Sequence, residues 1–560
     1  LAFTALLRRK GRVLETMTDN LAALRQSLAP ADQSLADELA LVYSRLSTQL
    51  TRGPGKIPTE QYRKNIAALE DERQKLEADI GIRSASFRIE KRLVTIEDVQ
   101  AALPQHAALL EIARYEPIAF STTSEPKRKS KPRYAAYVLR STGEPSFVDL
   151  GEAAPLESAI ETLRRALSDP DLSHDPKPAA RAVDRLLMQP IRKRLGDTRW
   201  VFVSADGPTH LVPFAALVDE KNHYLVERYL FSYVNTGRDL LRFAEKPISS
   251  REAPLVLANP AFDESGAPPA SEATHRGLRS IDMVTQRLLP LGGTADEAKS
   301  IQALFSESRV LTGQDATEET LKSTHAPRFL HLATHGFFLP EQPVPEVLFR
   351  ATGSEPTPAE RAAILQRENP LLRSGIALAG FNQRQSGMDD GVLTALEAAG
   401  LDLYGTRLVV LSACETGVGQ ASSGEGVYGL RRALSMAGAE TQVMSLWQVD
   451  TGRTRELMQA YYGRLKGKGG RSDSMRSVQL AMLSNSKTSH PNLWASFIVS
   501  GDWRALEGDE TPPDLKVHPG PRGCACEYAG DATTPNPAVW LSIALGLAAM
   551  RRRRSNVEPG

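Results

Sequence analysis

The chain has 560 residues, of which 41% are hydrophobic and 24% charged, which is typical of a soluble globular protein of roughly two to four domains. Its net charge of +1 gives no general preference for nucleic acid or anionic lipid, and no nucleic-acid partner is predicted. The three cysteines exclude a disulfide scaffold for the body of the protein and form no CxxC pair, so neither a metal nor another cofactor is predicted.

Residues 1–105 are predicted to be mostly helical. Apolar residues at helical spacing favour two helices within Leu1–Leu50, broken near Pro30, and a third, strongly charged helix over Thr59–Ser84. Such a hairpin can bind a protein partner or serve only as a packed pair of helices, and both interpretations stay open. The chain begins with Leu1 in what reads as the interior of a helix, so we expect a fragment or a processed start.

Residues 106–196 are predicted to lead into a larger α/β domain at 197–506. Ala107–Arg114 and Tyr134–Arg140 have the apolar, β-branched pattern of strands. The basic loop between them, Lys127–Lys131, carries no aromatic residue, which argues against a nucleic-acid site. Strands and helices then alternate, so we predict an open, mostly parallel α/β sheet with helices on both faces.

Two segments of the larger domain are predicted in more detail. Leu291–Phe305 is predicted to be a loop followed by an amphipathic helix, which Thr294 could cap with Glu297 three residues later. The segment lacks the G-K-[ST] of a phosphate loop, so nucleotide binding is not predicted. A further helix is predicted to begin near Val392.

Two predicted strands end near residues whose side chains could take part in catalysis. Arg407–Gly419 reads RLVVLSACETGVG, a buried strand that ends at Cys414, and Arg328–Phe338 reads RFLHLATHGFF, with His335 at the end of its strand. If these strands are parallel neighbours, both residues lie at the rim where open α/β sheets place their ligands. A thiol needs a base or a cationic neighbour to become a thiolate, so the pair is a candidate for nucleophilic catalysis. A small core cysteine and a structural histidine would give the same pattern.

Both stretches resemble the signature blocks of CHAT domains, the caspase-like domains often found behind tetratricopeptide repeats. The resemblance covers most of 199–506 and continues through five further blocks: Pro370–Phe381, Asp390–Gly405, Gly424–Gly438, Ser445–Val449 and Pro491–Trp503. It implies a fold related to caspases and separase, with residues 1–105 as a remnant downstream of a repeat array.

The resemblance also implies an activity. His335 and Cys414 would be the catalytic dyad of a cysteine endopeptidase that cleaves protein or peptide substrates. The backbone N–H groups of Gly336 and Cys414 are predicted oxyanion donors. His331, on the same strand as His335, is interpreted as a structural histidine with a backbone partner. The alternative function is a regulatory binding module with a silent dyad, which recruits partners through its helical region.

Substrate specificity is predicted from the segment after the strand that ends near Trp447. Related proteases often use an acidic residue to select Arg or Lys, and the family pattern usually has Asp where this chain has Thr451. Asp450 could reach the substrate pocket after a register shift, or it could only cap the helix that contains Thr454. We therefore predict no strong preference for Arg or Lys before the scissile bond.

From Glu507 the composition changes. Residues 507–537 are predicted to be a linker with a C-x-C motif, and 538–560 an apolar segment with an Arg-rich end. The apolar run is shorter than the roughly twenty residues of a spanning helix. The order of Cys524 and Cys526, polar spacer, apolar run and terminal arginines resembles a myxosortase-type sorting signal. It implies membrane contact through the tail and a bacterial envelope location, with a cytoplasmic location as the alternative.

Overall fold

The structure is a computed structural model, and it describes residues 1–11, 25, 30–52, 57–85, 94–117, 131–244, 249–263, 287–338, 370–372, 374–387, 389–412, 425–447 and 450–507. Contacts divide the chain into two units, Leu1–Gly520 and Pro521–Gly560, and the second lies wholly outside the described residues. The first unit contains all three regions that the sequence divides near residues 105 and 196, so those regions are segments of one compact unit.

Eleven of the described strands form one sheet. Their order across the sheet is β3 (Ser146–Glu152), β2 (Arg133–Arg140), β1 (Ala107–Tyr115), β4 (Trp200–Ser204), β5 (Leu230–Val234), β14 (Phe497–Gly501), β13 (Thr441–Ser445), β12 (Leu408–Leu411), β8 (Phe329–Ala333), β6 (Leu255–Pro260) and β7 (Arg309–Gly313). A small antiparallel sheet contains β9 (Gly336–Phe338), β10 (Ser374–Ala377) and β11 (Val392–Thr394), with β10 in the middle.

The large sheet consists of two parallel halves. Strands β1, β4, β5 and β14 run parallel to their neighbours in one half, and β13, β12, β8, β6 and β7 do so in the other. The halves meet at the antiparallel pair of β13 and β14, and β2 and β3 extend the first half with antiparallel pairing. The predicted mostly parallel α/β class is therefore confirmed, and the N-terminal region is helical as predicted.

Helices occupy the connections between the strands. The described α-helices are α1 (Ala2–Arg9), α2 (Pro30–Arg52), α3 (Thr59–Ala85), α4 (Ile96–Ala101), α5 (Ala153–Ser168), α6 (Lys177–Leu186), α7 (Met188–Leu195), α8 (Asp239–Phe243), α9 (Gly292–Leu304), α10 (Glu318–Lys322), α11 (Ala395–Ala398), α12 (Glu425–Met436), α13 (Thr451–Lys466), α14 (Arg471–Leu483) and α15 (Pro491–Trp494). Among these residues no helix combines the length and the apolar composition needed to cross a membrane.

Both faces of the sheet are covered. In β4 the side chains alternate: Trp200 and Phe202 pack in one apolar cluster with Phe3 of α1, whereas Val201 and Val203 join the larger cluster that includes α5 and α6. Strands β8, β12 and β13 are buried along their whole length, which explains why β8 and β12 read as nearly continuous apolar runs.

Helices α2 and α3 form the predicted hairpin. The apolar stripe of α3 is buried, and Pro30 begins α2, where its fixed φ angle suits the first turn. The hairpin docks on the second half of the fold through Ser47, whose hydroxyl lies 2.8 Å from Thr394 Oγ1 and donates to Glu397 Oε2 at 2.8 Å.

The prediction that a helix begins near Val392 is wrong about the first residue of the helix. Val392–Thr394 is strand β11, and the short helix α11 begins only after it, with Thr394 and Glu397 forming a capping box. The V-L-T sequence is a β-favouring run that pairs with β10, and the capping residues mark where the helical geometry starts.

Candidate active site

Strands β8 and β12, which precede the two predicted catalytic residues in the sequence, are parallel neighbours in the sheet. Leu332 pairs with Leu411, and the Ser412 N–H donates a hydrogen bond to the Leu332 carbonyl at 2.9 Å. His335 follows Leu332 by three residues, and Cys414 follows Leu411 by the same number. Cys414 itself lies outside the described residues, so the predicted dyad is described only at its histidine.

The backbone around His335 is held by β10. The chain bends at the buried Thr334, whose hydroxyl donates to the Ala377 carbonyl at 2.5 Å. On the other side the Ala377 N–H donates to the His335 carbonyl at 2.8 Å. Gly336 then begins β9 and lies opposite Ile376. Gly336 is thus a strand residue, and the bend in the chain precedes His335.

The His335 imidazole is fixed by a backbone carbonyl. Its Nε2 donates to the carbonyl oxygen of Leu289 at 3.0 Å, and its ring lies 5.3 Å from that of Phe262, centroid to centroid. A neutral imidazole has one N–H, so this bond leaves Nδ1 as the nitrogen with a free lone pair. Burial lowers the pKa of His335, opposed by the bond to Leu289, and the neutral form is therefore favoured near pH 7.

His331 is structural, but its partners are side chains rather than the predicted backbone group. It is fully buried on β8, with Nδ1 3.1 Å from the Tyr462 hydroxyl and Nε2 3.1 Å from Glu297 Oε1. The second oxygen of Glu297 accepts from the Ser412 hydroxyl at 3.2 Å. Burial raises the pKa of Tyr462, and Tyr461 and Glu297 raise it further. Buried polar side chains of β8, α9 and α13 therefore lie together, next to Ser412 at the end of β12.

The predicted cap of α9 is also wrong. The helix begins at Gly292, and Thr294 lies within its first turn, where its hydroxyl donates to the Leu291 carbonyl at 2.7 Å. Glu297 turns into the protein with Ala298 and Ile301 instead of back toward the helix start. Because a Thr followed by Glu three residues later also fits a capping box, the buried role of Glu297 cannot be predicted from the sequence.

The two predicted pocket residues lie at the start of α13. Asp450 is exposed, and its side chain accepts from the Arg453 N–H at 3.0 Å as the N-cap of the helix. Thr451 contacts the start of α9 so closely that a Cβ built on Gly293 would lie 3.1 Å from the Thr451 Cβ. Whether either residue contacts substrate stays a prediction.

The structure describes only some of the remaining predicted site residues. The oxyanion role of Gly336 depends on Cys414, and the sorting residues Cys524 and Cys526 lie outside the described part of the chain. Among the described residues no group of three or more His, Cys, Asp or Glu side chains is placed to hold a metal ion.

Comparison with solved structures finds distant likenesses. The Saccharomyces cerevisiae separase–securin complex superposes with a TM-score of 0.31 at 10% identity, over 85% of this chain and 27% of that one. The Arg-specific cysteine proteinase gingipain R (RGPB) gives 0.32 at 10% identity, over 63% of this chain and 75% of that one. These TM-scores are too low to transfer residues or chemistry from either protein.

Sequence comparisons are more specific. Human (Homo sapiens) tetratricopeptide repeat protein 28 is 26% identical over 344 residues, which cover 58% of this chain but 13% of the human protein, and the Mus musculus protein is matched to the same extents. The chain thus spans a small part of these curated relatives. Residues 177–502 match the CHAT domain, and because this match spans more than half of the chain, the protein belongs to the CHAT domain family.

Proposed function

We propose that this protein is a cysteine endopeptidase in which His335 and Cys414 form the catalytic dyad. The observation that carries the proposal is the pairing of β8 with β12 in a register that leaves both residues three positions beyond the paired Leu332 and Leu411. The orientation of His335 agrees with it, because the bond to Leu289 leaves Nδ1 able to accept a proton.

The proposed reaction is acyl transfer through a thioester. His335 Nδ1 accepts the thiol proton of Cys414, and the thiolate attacks the carbonyl carbon of the scissile peptide bond. The backbone N–H groups of Gly336 and Cys414 stabilise the oxyanion of the tetrahedral intermediate. The intermediate collapses as the leaving amine takes the proton from His335, and water activated by His335 then hydrolyses the thioester.

The test is cleavage of a broad peptide library by the intact protein. We expect Cys414→Ala and His335→Ala each to abolish cleavage while the far-UV circular dichroism spectrum stays unchanged. His174→Ala is the matched control, because this side chain is 67% exposed and, among the described contacts, pairs only with the surface carboxylates of Asp169 and Asp171. Cleavage that persists in Cys414→Ala would refute the proposal.

The alternative is a regulatory binding module whose dyad is silent. The docking of the α2–α3 hairpin through Ser47 favours it, since a partner bound to the hairpin would act next to Thr394 and the small sheet that begins at Gly336. A partner captured by the isolated protein, with no cleavage of any library member in its presence or absence, would support this alternative.

We also propose that the tail directs the protein to a bacterial cell envelope. The support is the order of the Cys524 and Cys526 motif, the spacer, the apolar run and the terminal arginines. Mass spectrometry of the protein from its host should find it in the envelope fraction without Arg551–Gly560. A soluble protein with that C-terminus intact would contradict this proposal.

A further inference from the structure

The carbonyl that holds His335 belongs to a segment that is itself held by one side chain. Asn382 lies in the turn after β10, and its carboxamide contacts the backbone of Leu288, the residue before Leu289. The Leu288 N–H donates to Asn382 Oδ1 at 2.9 Å, and Asn382 Nδ2 donates to the Leu288 carbonyl at 3.0 Å. Asn382 thus binds both polar groups of Leu288 next to the carbonyl that contacts His335 at 3.0 Å.

The carboxamide is anchored on its own side. Its Nδ2 also donates to Asp263 Oδ1 at 2.9 Å, and the Asn382 backbone N–H donates to the Phe262 carbonyl at 2.8 Å. Phe262 in turn packs against the His335 ring, and Leu288 packs in the same apolar cluster as Phe262. Asn382, Leu288 and the His335 imidazole are therefore all neighbours of Phe262.

Only an amide satisfies these three contacts. The side chain must accept from one N–H and donate to two oxygens, and asparagine offers both functions on one short side chain. A carboxylate at this position would present only acceptors to the Leu288 carbonyl and would lie beside the Asp263 carboxylate. An aliphatic side chain would make none of the three bonds and would leave the Leu288 groups without them.

We propose that Asn382 is a positioning residue for His335. By clamping Leu288 it holds the Leu289 carbonyl against Nε2, which fixes the imidazole in the tautomer with the proton on Nε2 and leaves Nδ1 able to accept a proton. The inference rests on the proposed peptidase function for its kinetic part, whereas its structural part concerns the imidazole alone.

The kinetic test compares two conversions of an amide to a carboxylate in the same turn. Asn382→Asp removes the donor, and Gln383→Glu makes the equivalent change one residue on, where the side chain contacts the Asp263 carbonyl but not Leu288. We expect Asn382→Asp and Asn382→Leu to lower kcat about 10- to 100-fold with KM changed by less than about threefold. Gln383→Glu should keep kcat within about twofold of the wild type.

A second measurement does not depend on activity. With ¹⁵N-labelled histidine in the Cys414→Ala background, the His335 resonances, assigned with His335→Gln, should show a proton held on Nε2 at neutral pH. Asn382→Leu should lose that bias, while the other histidine signals stay in place and report an intact fold.

The two measurements separate the possible failures. An unchanged His335 tautomer in Asn382→Leu, or a kcat in Asn382→Asp equal to that of Gln383→Glu, would overturn the positioning role. If Cys414→Ala cleaves as well as the wild type, the proposed peptidase function fails, and the tautomer measurement still decides whether Asn382 orients His335.

Discussion

The partly buried ammonium group of Lys322 joins the N-terminal hairpin to the rest of the fold, and its removal gives the sharpest stability prediction. Lys322 Nζ lies 2.7 Å from Glu318, 3.0 Å from Asp389 and 3.0 Å from Glu397, and it donates to the Ser44 hydroxyl of α2 at 2.7 Å. The Glu318 and Glu397 side chains are 0% and 1% exposed. Lys322→Met keeps an unbranched side chain that is one atom shorter and removes its charge.

The expected loss of stability follows from the carboxylates that remain without a cation. Removal of one partner from a buried ion pair costs about 3–5 kcal/mol, because the remaining charge is desolvated and uncompensated. Here two buried carboxylates and the partly buried Asp389 lose a shared cation. We therefore expect Lys322→Met to lower the free energy of unfolding by about 3–5 kcal/mol at pH 7.5.

The loss should shrink in acid. Burial raises the pKa of Glu318 well above its ordinary value; Glu397, Asp390 and Asp389 add to this, and Lys322 opposes it. A carboxyl group whose pKa is higher in the folded than in the unfolded state favours folding when protonated, and this advantage is lost as the pH rises through the folded pKa. Without Lys322 the folded protein takes up that proton more readily, so the deficit is smaller near pH 5.

The assay is urea unfolding followed by tryptophan fluorescence at pH 7.5 and pH 5. Lys299→Met is the matched control, because this lysine is 76% exposed and, within the part of the chain that the structure describes, pairs only with the exposed Asp296 at 3.3 Å, an ion pair worth about 0–1 kcal/mol. Hydrogen exchange should also quicken in α2. The reasoning is refuted if Lys322→Met costs no more than Lys299→Met, or if its cost is the same at both pH values.

Three further predictions concern the site and its supports. Gly375→Ala should lower the free energy of unfolding by about 1–3 kcal/mol and reduce cleavage, because the new Cβ would lie 2.5 Å from the Leu393 carbonyl oxygen inside the small sheet. Gly463→Ala is the control, and because there is open space around this glycine, the same unfolding measurement should find it neutral or stabilising. Glu297→Leu should lower the free energy of unfolding by about 1–3 kcal/mol, because the Ser412 hydroxyl and Nε2 of the buried His331 both lose the Glu297 carboxylate, and a melting temperature equal to the wild type would contradict this. Asp450→Ala should lower the free energy of unfolding by about 1 kcal/mol because the helix cap is lost, whereas Asp450→Asn should change it very little. If peptide profiling instead finds an Arg preference of roughly a hundredfold that is lost in Asp450→Asn, Asp450 lines the substrate pocket.

The sequence predicts best those elements whose signal is local. Strands such as β1 and β12 are continuous apolar runs, and their prediction agrees with the structure. Strand β5 is not predicted because Ser232 interrupts its apolar run, and β3 is not predicted because it is a half-exposed edge strand. In the structure Ser232 is buried and accepts from Trp200 Nε1 at 3.0 Å and donates to Ser472 at 2.8 Å. Partners so distant in sequence leave no local pattern.

In the candidate site, too, residues with a local sequence signal can be predicted and residues that act through distant contacts cannot. His335 stands out in sequence because its residue type and its place at a strand end suggest chemistry, and the parallel pairing of its strand with that of Cys414 agrees with the prediction. Leu289 could not be found, because it acts through a backbone carbonyl that any residue would supply. Asn382 and Glu297 act through contacts with residues far away in the chain, and neither lies in a pattern that distinguishes it from a surface residue.

The central place of β14 has a consequence for how the protein reaches its folded state. This strand pairs with β5 on one side and β13 on the other, yet it follows every other described strand along the chain. During synthesis β5 and β13 therefore present open edges, which are templates for pairing with other chains. Pairings between residues distant in sequence also form slowly. We expect insertion of β14 to be the slow step of folding, and the two half-sheets before it to be the species most prone to aggregation and most dependent on chaperones.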